Sequence, residues 1–142
     1  MNTQEAKFWQ TELRDGFNAL GHCCRVESHS TCVGIPDVNL HLTQGPEWWI
    51  EIKTAIGADK VEVRPAQWGW HKRRRQIGGR CMFLTKWTPS NGTATRYLVN
   101  INGPFVKDDM YEWAERANLI MLDEFNWRLF EEVLRNDRHI RK

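Results

Sequence analysis

The sequence predicts an α/β domain, of α+β character, with one mixed sheet in the order helix, β-hairpin, helix, strand, strand, helix, helix. Three observations predict it. Apolar residues recur at helical spacing ahead of Gly21, two alternating runs flank a turn signal between residues 37 and 54, and a helix-like segment separates them from two further strand-like runs between 81 and 101. The chain has 142 residues, enough to bury one core, so 1–142 reads as a single domain, with a core over 4–102 and a helical C-terminal extension over 108–138.

Residues 4–20 read as a helix because Trp9, Leu13, Phe17 and Leu20 fall on one face and Gly21 follows as a stop. Residues 22–27 suit a short strand, and 31–36 a loop punctuated by Gly34 and Pro36. Val38, Leu40 and Leu42 then alternate with Asp37, Asn39 and His41. After the turn signal Thr43-Gln44-Gly45-Pro46, residues 48–54 alternate Ile50 and Ile52 with Trp49, Glu51 and Lys53. Alternation sends Asp37, Glu51 and Lys53 away from the aliphatic faces of their strands. Pairing the strands as neighbours lets all three converge on one side of the sheet.

Residues 57–63 form a connection, and Pro65 suits the first turn of a helix that runs to about Ile77 and ends at Gly78-Gly79. Residues 81–87 and 96–101 are two more strands, joined by the turn Pro89-Ser90-Asn91-Gly92. Asp108 or Asp109 caps a helix to about Ala117, and a last helix covers roughly 123–136.

Composition narrows the classes. No apolar run approaches the ~20 residues of a membrane helix, and no apolar segment follows the charges of the N-terminal stretch, so a cytoplasmic, intracellular location is expected. Reduced thiols are then the default for Cys23, Cys24, Cys32 and Cys81. The cluster His22, Cys23, Cys24, His29 and Cys32 contains zinc-ligand types, but its spacing matches no finger or ribbon, and ordinary packing explains it more simply.

Net charge is only +2, yet it is unevenly spread: between Val63 and Lys107 there is no acid and there are nine Lys and Arg, whereas from Asp108 onward nine acids face six bases. A basic region of this kind is the expected footprint of a polyanion.

The chemistry lies in three strings: Gly34-Ile35-Pro36-Asp37, Ile50-Glu51-Ile52-Lys53, and Arg64-Pro65-Ala66-Gln67. Two carboxylates on adjacent strands are hard oxygen ligands suited to Mg²⁺. A lysine two residues beyond the second carboxylate points the same way and can hold a water or a phosphate. These strings resemble the PD-(D/E)xK nuclease superfamily, with Pro36-Asp37 and Glu51-Ile52-Lys53 matching its signature. The longer pattern, over roughly residues 5–85, is similar to the virus-type replication-repair (VRR-Nuc) branch, which groups with archaeal Holliday-junction resolvases.

The resemblance implies a restriction-endonuclease-like core and Mg²⁺ or Mn²⁺ held by Asp37, Glu51, the carbonyl of Ile52 and an acid from the first helix. Glu5 and Glu12 both qualify by helical phase; the resemblance favours Glu5, and Glu27 is a third acid within reach. Lys53 would orient the attacking water, and Gln67 is the implied fourth catalytic element. On the following helix Gln67, His71 and Arg74 share one side, Trp68, Lys72 and Arg75 another, and Ala66, Trp70 and Ile77 form an apolar stripe with Arg73 inside it. Arg64, His71, Lys72, Arg74 and Arg75 are the expected DNA contacts, and Trp68 or Trp70 could stack on an unpaired base, although Trp70 suits the core better.

The expected function is therefore a metal-dependent DNA endonuclease leaving 5′-phosphate and 3′-hydroxyl ends. By analogy with the fold, it acts on branched DNA in viral or phage-type replication, recombination or repair, as a homodimer. Its rivals are a non-catalytic DNA-binding module and a restriction-type or single-strand nuclease. The apolar residues Trp113, Leu119, Ile120, Leu122, Phe125, Trp127, Phe130, Val133 and Leu134 could supply the dimer interface or cover their own sheet.

Overall fold

The structure, a computed structural model, describes residues 1–27, 33–58, 60–90, 93–101 and 108–136. Helix α1 (Thr3–Phe8) begins with a reciprocal cap: Asn2 Oδ1 accepts from the Glu5 amide at 2.8 Å, and Glu5 Oε1 accepts from the Asn2 amide at 3.1 Å. A π-helical segment (Trp9–Leu13) follows, and the helix resumes as α2 (Arg14–Leu20). The strands are β1 (Gly21–Arg25), β2 (Val38–Leu42), β3 (Glu47–Ile56), β4 (Cys81–Thr88), β5 (Arg96–Asn100) and β6 (Leu119–Leu122). Helix α3 (Pro65–Gln76) joins β3 to β4; α4 (Met110–Glu115) precedes β6, and α5 (Trp127–Arg135) ends the described chain.

The six strands form one mixed sheet in sequence order. Four of the pairings are antiparallel; β3 and β4 are parallel, as strands joined by a crossover helix can be. Helices cover both faces. On one face Phe8, Trp9, Leu13 and Phe17 pack with Phe130, Val133 and Leu134 over Val38, Leu40, Ile50, Ile52, Met82 and Leu84. On the other, Trp68 of α3 and Met110 and Trp113 of α4 pack over Phe83, Trp87 and Leu98. A strand sandwiched in this way is buried on both sides, and in β3 Glu51 and Lys53 are buried along with Ile50 and Ile52.

The expected mixed sheet and the order of its first elements are borne out, with two departures. Residues 119–122 form β6, paired antiparallel with β5, where the sequence reading has only a link between helices. A four-residue apolar run has no visible period. The C-terminal segment is consequently part of the sheet rather than an extension: α5 stacks Phe130 on Phe17, and the Trp48 indole donates to the Leu134 carbonyl at 2.8 Å. Of the two candidate caps for α4, Asp109 accepts from the Glu112 amide at 2.9 Å, while Asp108 pairs with Arg116 at 2.8 Å. Among the described residues no helix is long and apolar enough to cross a membrane.

Candidate active site

Pairing Val38 with Ile50 sets Asp37 beside the middle of β3, on the face that carries Glu51 and Lys53. Asp37 is held from both neighbouring strands. Its carbonyl accepts from the Val26 amide at 2.7 Å, and its Oδ2 accepts from the Ile52 amide at 3.0 Å. Upstream, Gly34 (φ +86°) brings the loop against the first turn of α3; a Cβ there would lie 2.2 Å from the Ala66 carbonyl oxygen. Glycine thus lets the Asp37 loop and the start of α3 touch.

Gln67 joins the pieces. As the third residue of α3 it accepts at Oε1 from the Arg64 amide (2.9 Å) and from Lys53 Nζ (3.2 Å), while its Nε2 donates to Glu51 Oε2 at 3.2 Å. Lys53 also donates to the Glu62 carbonyl at 2.9 Å, and its Nζ lies 3.9 Å from Glu51 Oε2. One carboxylate oxygen of Glu51 is therefore satisfied. The other, Oε1, is buried with no donor. Burial pushes the Glu51 carboxyl up to about 10, helped by the Asp37 carboxylate close beside it, opposed by Lys53 and reinforced by Glu5.

These side chains line a cavity of about 850 Å³ together with Glu5, Arg25, Glu27, Lys60, Glu62 and Arg64. Glu5 lies in it with one oxygen engaged by the helix cap. Glu12 instead accepts from Lys86 Nζ and the Tyr97 hydroxyl. The π-helical segment that contains Glu12 explains why helical phase could not separate the two acids: a wider turn rotates Glu12 off the face it would share with Glu5. Glu27 sits exposed on the rim.

A divalent cation fits this donor set. Among the described residues no three His, Cys, Asp or Glu side chains gather into a metal cage. Magnesium, however, commonly uses one or two carboxylates and keeps waters in its remaining positions. The unpartnered Glu51 Oε1 beside Asp37 is the vacant acceptor such an ion requires. Ile52 turns its N–H toward Asp37.

The basic helix differs from its sequence reading. His71, expected to contact DNA, has no exposed surface: it stacks on Phe83 at 4.1 Å, and both ring nitrogens lack a protein partner. Burial, then the charges of Arg75 and Lys53, lower it to about 3, so it is neutral. Arg75 donates to the Ile101 carbonyl at 2.9 Å, and the Arg74 guanidinium lies 4.4 Å from the Trp70 ring centroid; both are half-buried and partly committed within the fold. Trp68 packs against Phe83 and Trp113, and Trp70 against Trp49, leaving neither as a platform for a base. Ile77, expected on the apolar stripe, is 82% exposed. Arg64 and Lys72 are exposed as expected, and Arg73, placed inside the stripe, is exposed as well.

No family model matches the chain, and no curated protein is significantly similar to it. Among solved structures it is similar to Hjc, a Holliday junction resolvase from the archaeal hyperthermophile Archaeoglobus fulgidus, with 12% identity over 76% of this chain and 84% of that one, at a TM-score of 0.44. The likeness is loose. At that identity no residue of one chain is assigned to a residue of the other.

Arg25 and Lys60 were not singled out from sequence, yet both line the cavity, from the end of β1 and from the β3–α3 connection. Each is an isolated base among mixed residues, and only the fold brings them to Asp37. Of the possible zinc cluster, His29 and Cys32 lie outside the described residues. Cys23 and Cys24 alternate between a half-buried and an exposed side of β1.

Proposed function

We propose that this chain is a divalent-metal-dependent endodeoxyribonuclease acting on branched DNA, of the PD-(D/E)xK kind. The observation that carries the proposal is the buried Glu51 carboxyl, with its unpartnered oxygen, set beside Lys53 and the half-buried Asp37 at the floor of an open cavity. An exposed strand pair needs no such arrangement, and burying like charges together costs stability unless something binds there.

Asp37 and Glu51 would hold Mg²⁺ or Mn²⁺, with the Ile52 carbonyl and Glu5 completing the set. When bound, the ion neutralises charge on the phosphoryl oxygens and acidifies the attacking water. The chain's own residues do the positioning. Glu51 releases its proton and becomes the anion the ion needs. Gln67 bridges Glu51 Oε2 and Lys53 and so fixes one against the other. Lys53 has three donor hydrogens, two of them engaged by Glu62 and Gln67; the third serves the water or the scissile phosphate. Attack of that water on phosphorus expels the 3′-oxygen, giving a 5′-phosphate and a 3′-hydroxyl. Arg25, Lys60 and Arg64 on the rim supply charge for the flanking phosphates.

The testing experiment is incubation of purified protein with labelled linear duplex, single strand, flap and four-way junction, in Mg²⁺, Mn²⁺ or EDTA. The reading predicts metal-dependent cuts with 5′-phosphate ends, fastest on branched DNA. Binding without cutting in either metal would mean a non-catalytic module.

A further inference from the structure

The site cavity continues beyond Lys53 along the tip of β3. Thr54, Ala55 and Ile56 line both it and a second cavity of about 530 Å³, whose other wall includes Lys7, Phe8 and Lys86. Ile56 stands where the two meet and is 77% exposed. Single exposed aliphatic residues are ordinary on protein surfaces, and Ile77 is one of them: it lines neither cavity.

Ile56 differs from Ile77 in place and in rigidity. It pairs with Thr88 in the parallel ladder. The next residue, Gly57, turns the chain at φ +77°, donates its N–H to the Thr88 carbonyl at 2.9 Å, and accepts the Trp87 indole N–H at 2.6 Å. The strand tip is therefore clamped to the end of β4 while its apolar side chain projects into solvent. It also lies three residues beyond Lys53, roughly 10 Å along an extended strand, or about three stacked base steps.

We infer that Ile56 is a wedge that enters the base stack beside the cut, and that the second cavity receives the nucleotide it displaces. The inference rests on the nuclease reading above and names what would make that nuclease prefer branched DNA. Rigid apolar side chains inserted between base steps unstack them, and the cost is least where a base is already unpaired or at a branch. A wedge thus selects by structure without reading sequence. Lys7 on the outer face of α1 gives the displaced strand a phosphate contact.

The test compares wild type with Ile56→Ala on two substrates of one sequence: an intact four-way junction, and the same junction with the nucleotide beside the cut already unpaired by a mismatch. Ile56→Ala should cut the intact junction about tenfold more slowly and stay within about twofold of wild type on the mismatched one. Fluorescence of 2-aminopurine at that position should rise on adding wild type and not on adding the variant. Equal rates for both proteins on both substrates, or an equal loss on both, would overturn the wedge while leaving the nuclease standing. A wild type that cuts neither substrate would overturn the nuclease reading, and the wedge with it.

Discussion

At the scale of single residues the site turns on Glu51, a carboxyl that burial and Asp37 together make reluctant to ionise. Removing either charge should remove the cation's hold. Asp37→Asn and Glu51→Gln should each slow cleavage by at least about 10²-fold while the chain still folds; circular dichroism and single-turnover cleavage in Mg²⁺ check both halves. His71 makes the opposite kind of prediction, about stability rather than chemistry. Its value falls from 6.5 to about 3 on folding, so the unfolded chain takes up a proton below pH 6.5 that the folded chain refuses. Its contribution is present in full above pH 6.5 and is lost as the pH falls toward 3. His71→Phe keeps the stack on Phe83 and removes two unpartnered nitrogens, so it should raise the melting temperature and flatten its dependence on pH between 6.5 and 5. A variant that melts lower at both pH values would mean that the ring nitrogens have partners.

At the scale of elements, the contact between the Asp37 loop and the first turn of α3 holds the site together. Gly34→Ala places a Cβ against the Ala66 carbonyl in a left-handed conformation, and should cost about 1–3 kcal/mol and lower the cleavage rate through displaced Asp37. Gln67→Ala leaves the Arg64 amide, Lys53 and Glu51 each short of one bond. It should reduce kcat more than it raises KM, since in the proposed reaction those hydrogen bonds position groups that react rather than groups that bind.

What could be read in advance follows from the same elements. The period-two alternation of Val38–Leu42 and of β3 is a local signal, and it places Asp37, Glu51 and Lys53 on one side without knowledge of the rest. The burial of His71 and the commitments of Arg74 and Arg75 depend on which side of α3 meets the sheet, and a helix rich in Arg and Trp all round does not announce this. β6 is too short to show a period, and the π-helical segment changes phase without a sequence mark. Arg25 and Lys60 come from segments far apart in the chain, so their meeting is a property of topology.

At the scale of the whole molecule, the charge asymmetry becomes a division of surfaces. With Arg74 and Arg75 engaged internally, Lys72 and Arg73 are the exposed bases in the run along α3. Changing both to Ala should weaken all DNA binding alike and lower the slope of log K against log salt by roughly 0.9 for each phosphate that is no longer neutralised. The C-terminal apolar residues mostly cover their own sheet: Trp113, Phe130, Val133 and Leu134 are buried. What remains outside is the edge strand β6, with Ile120 at 47% and Leu122 at 57% exposure. An edge strand can pair with its own symmetry copy, so it is a surface on which the expected homodimer would form. Ile120→Lys with Leu122→Lys should then give a monomer by light scattering, and an unchanged mass would place the interface elsewhere.

In the proposed function all of these surfaces serve one cut at one pair of carboxylates. Single-turnover cleavage of an end-labelled four-way junction by wild type and Glu51→Gln, in Mg²⁺ and in EDTA, tests that most directly. Wild type should cut in Mg²⁺ to a 5′-phosphate and a 3′-hydroxyl and be silent in EDTA, with Glu51→Gln binding the junction normally and cutting at least about 10²-fold more slowly. Cutting by Glu51→Gln at the wild-type rate, or cutting by wild type that persists in EDTA, would contradict it.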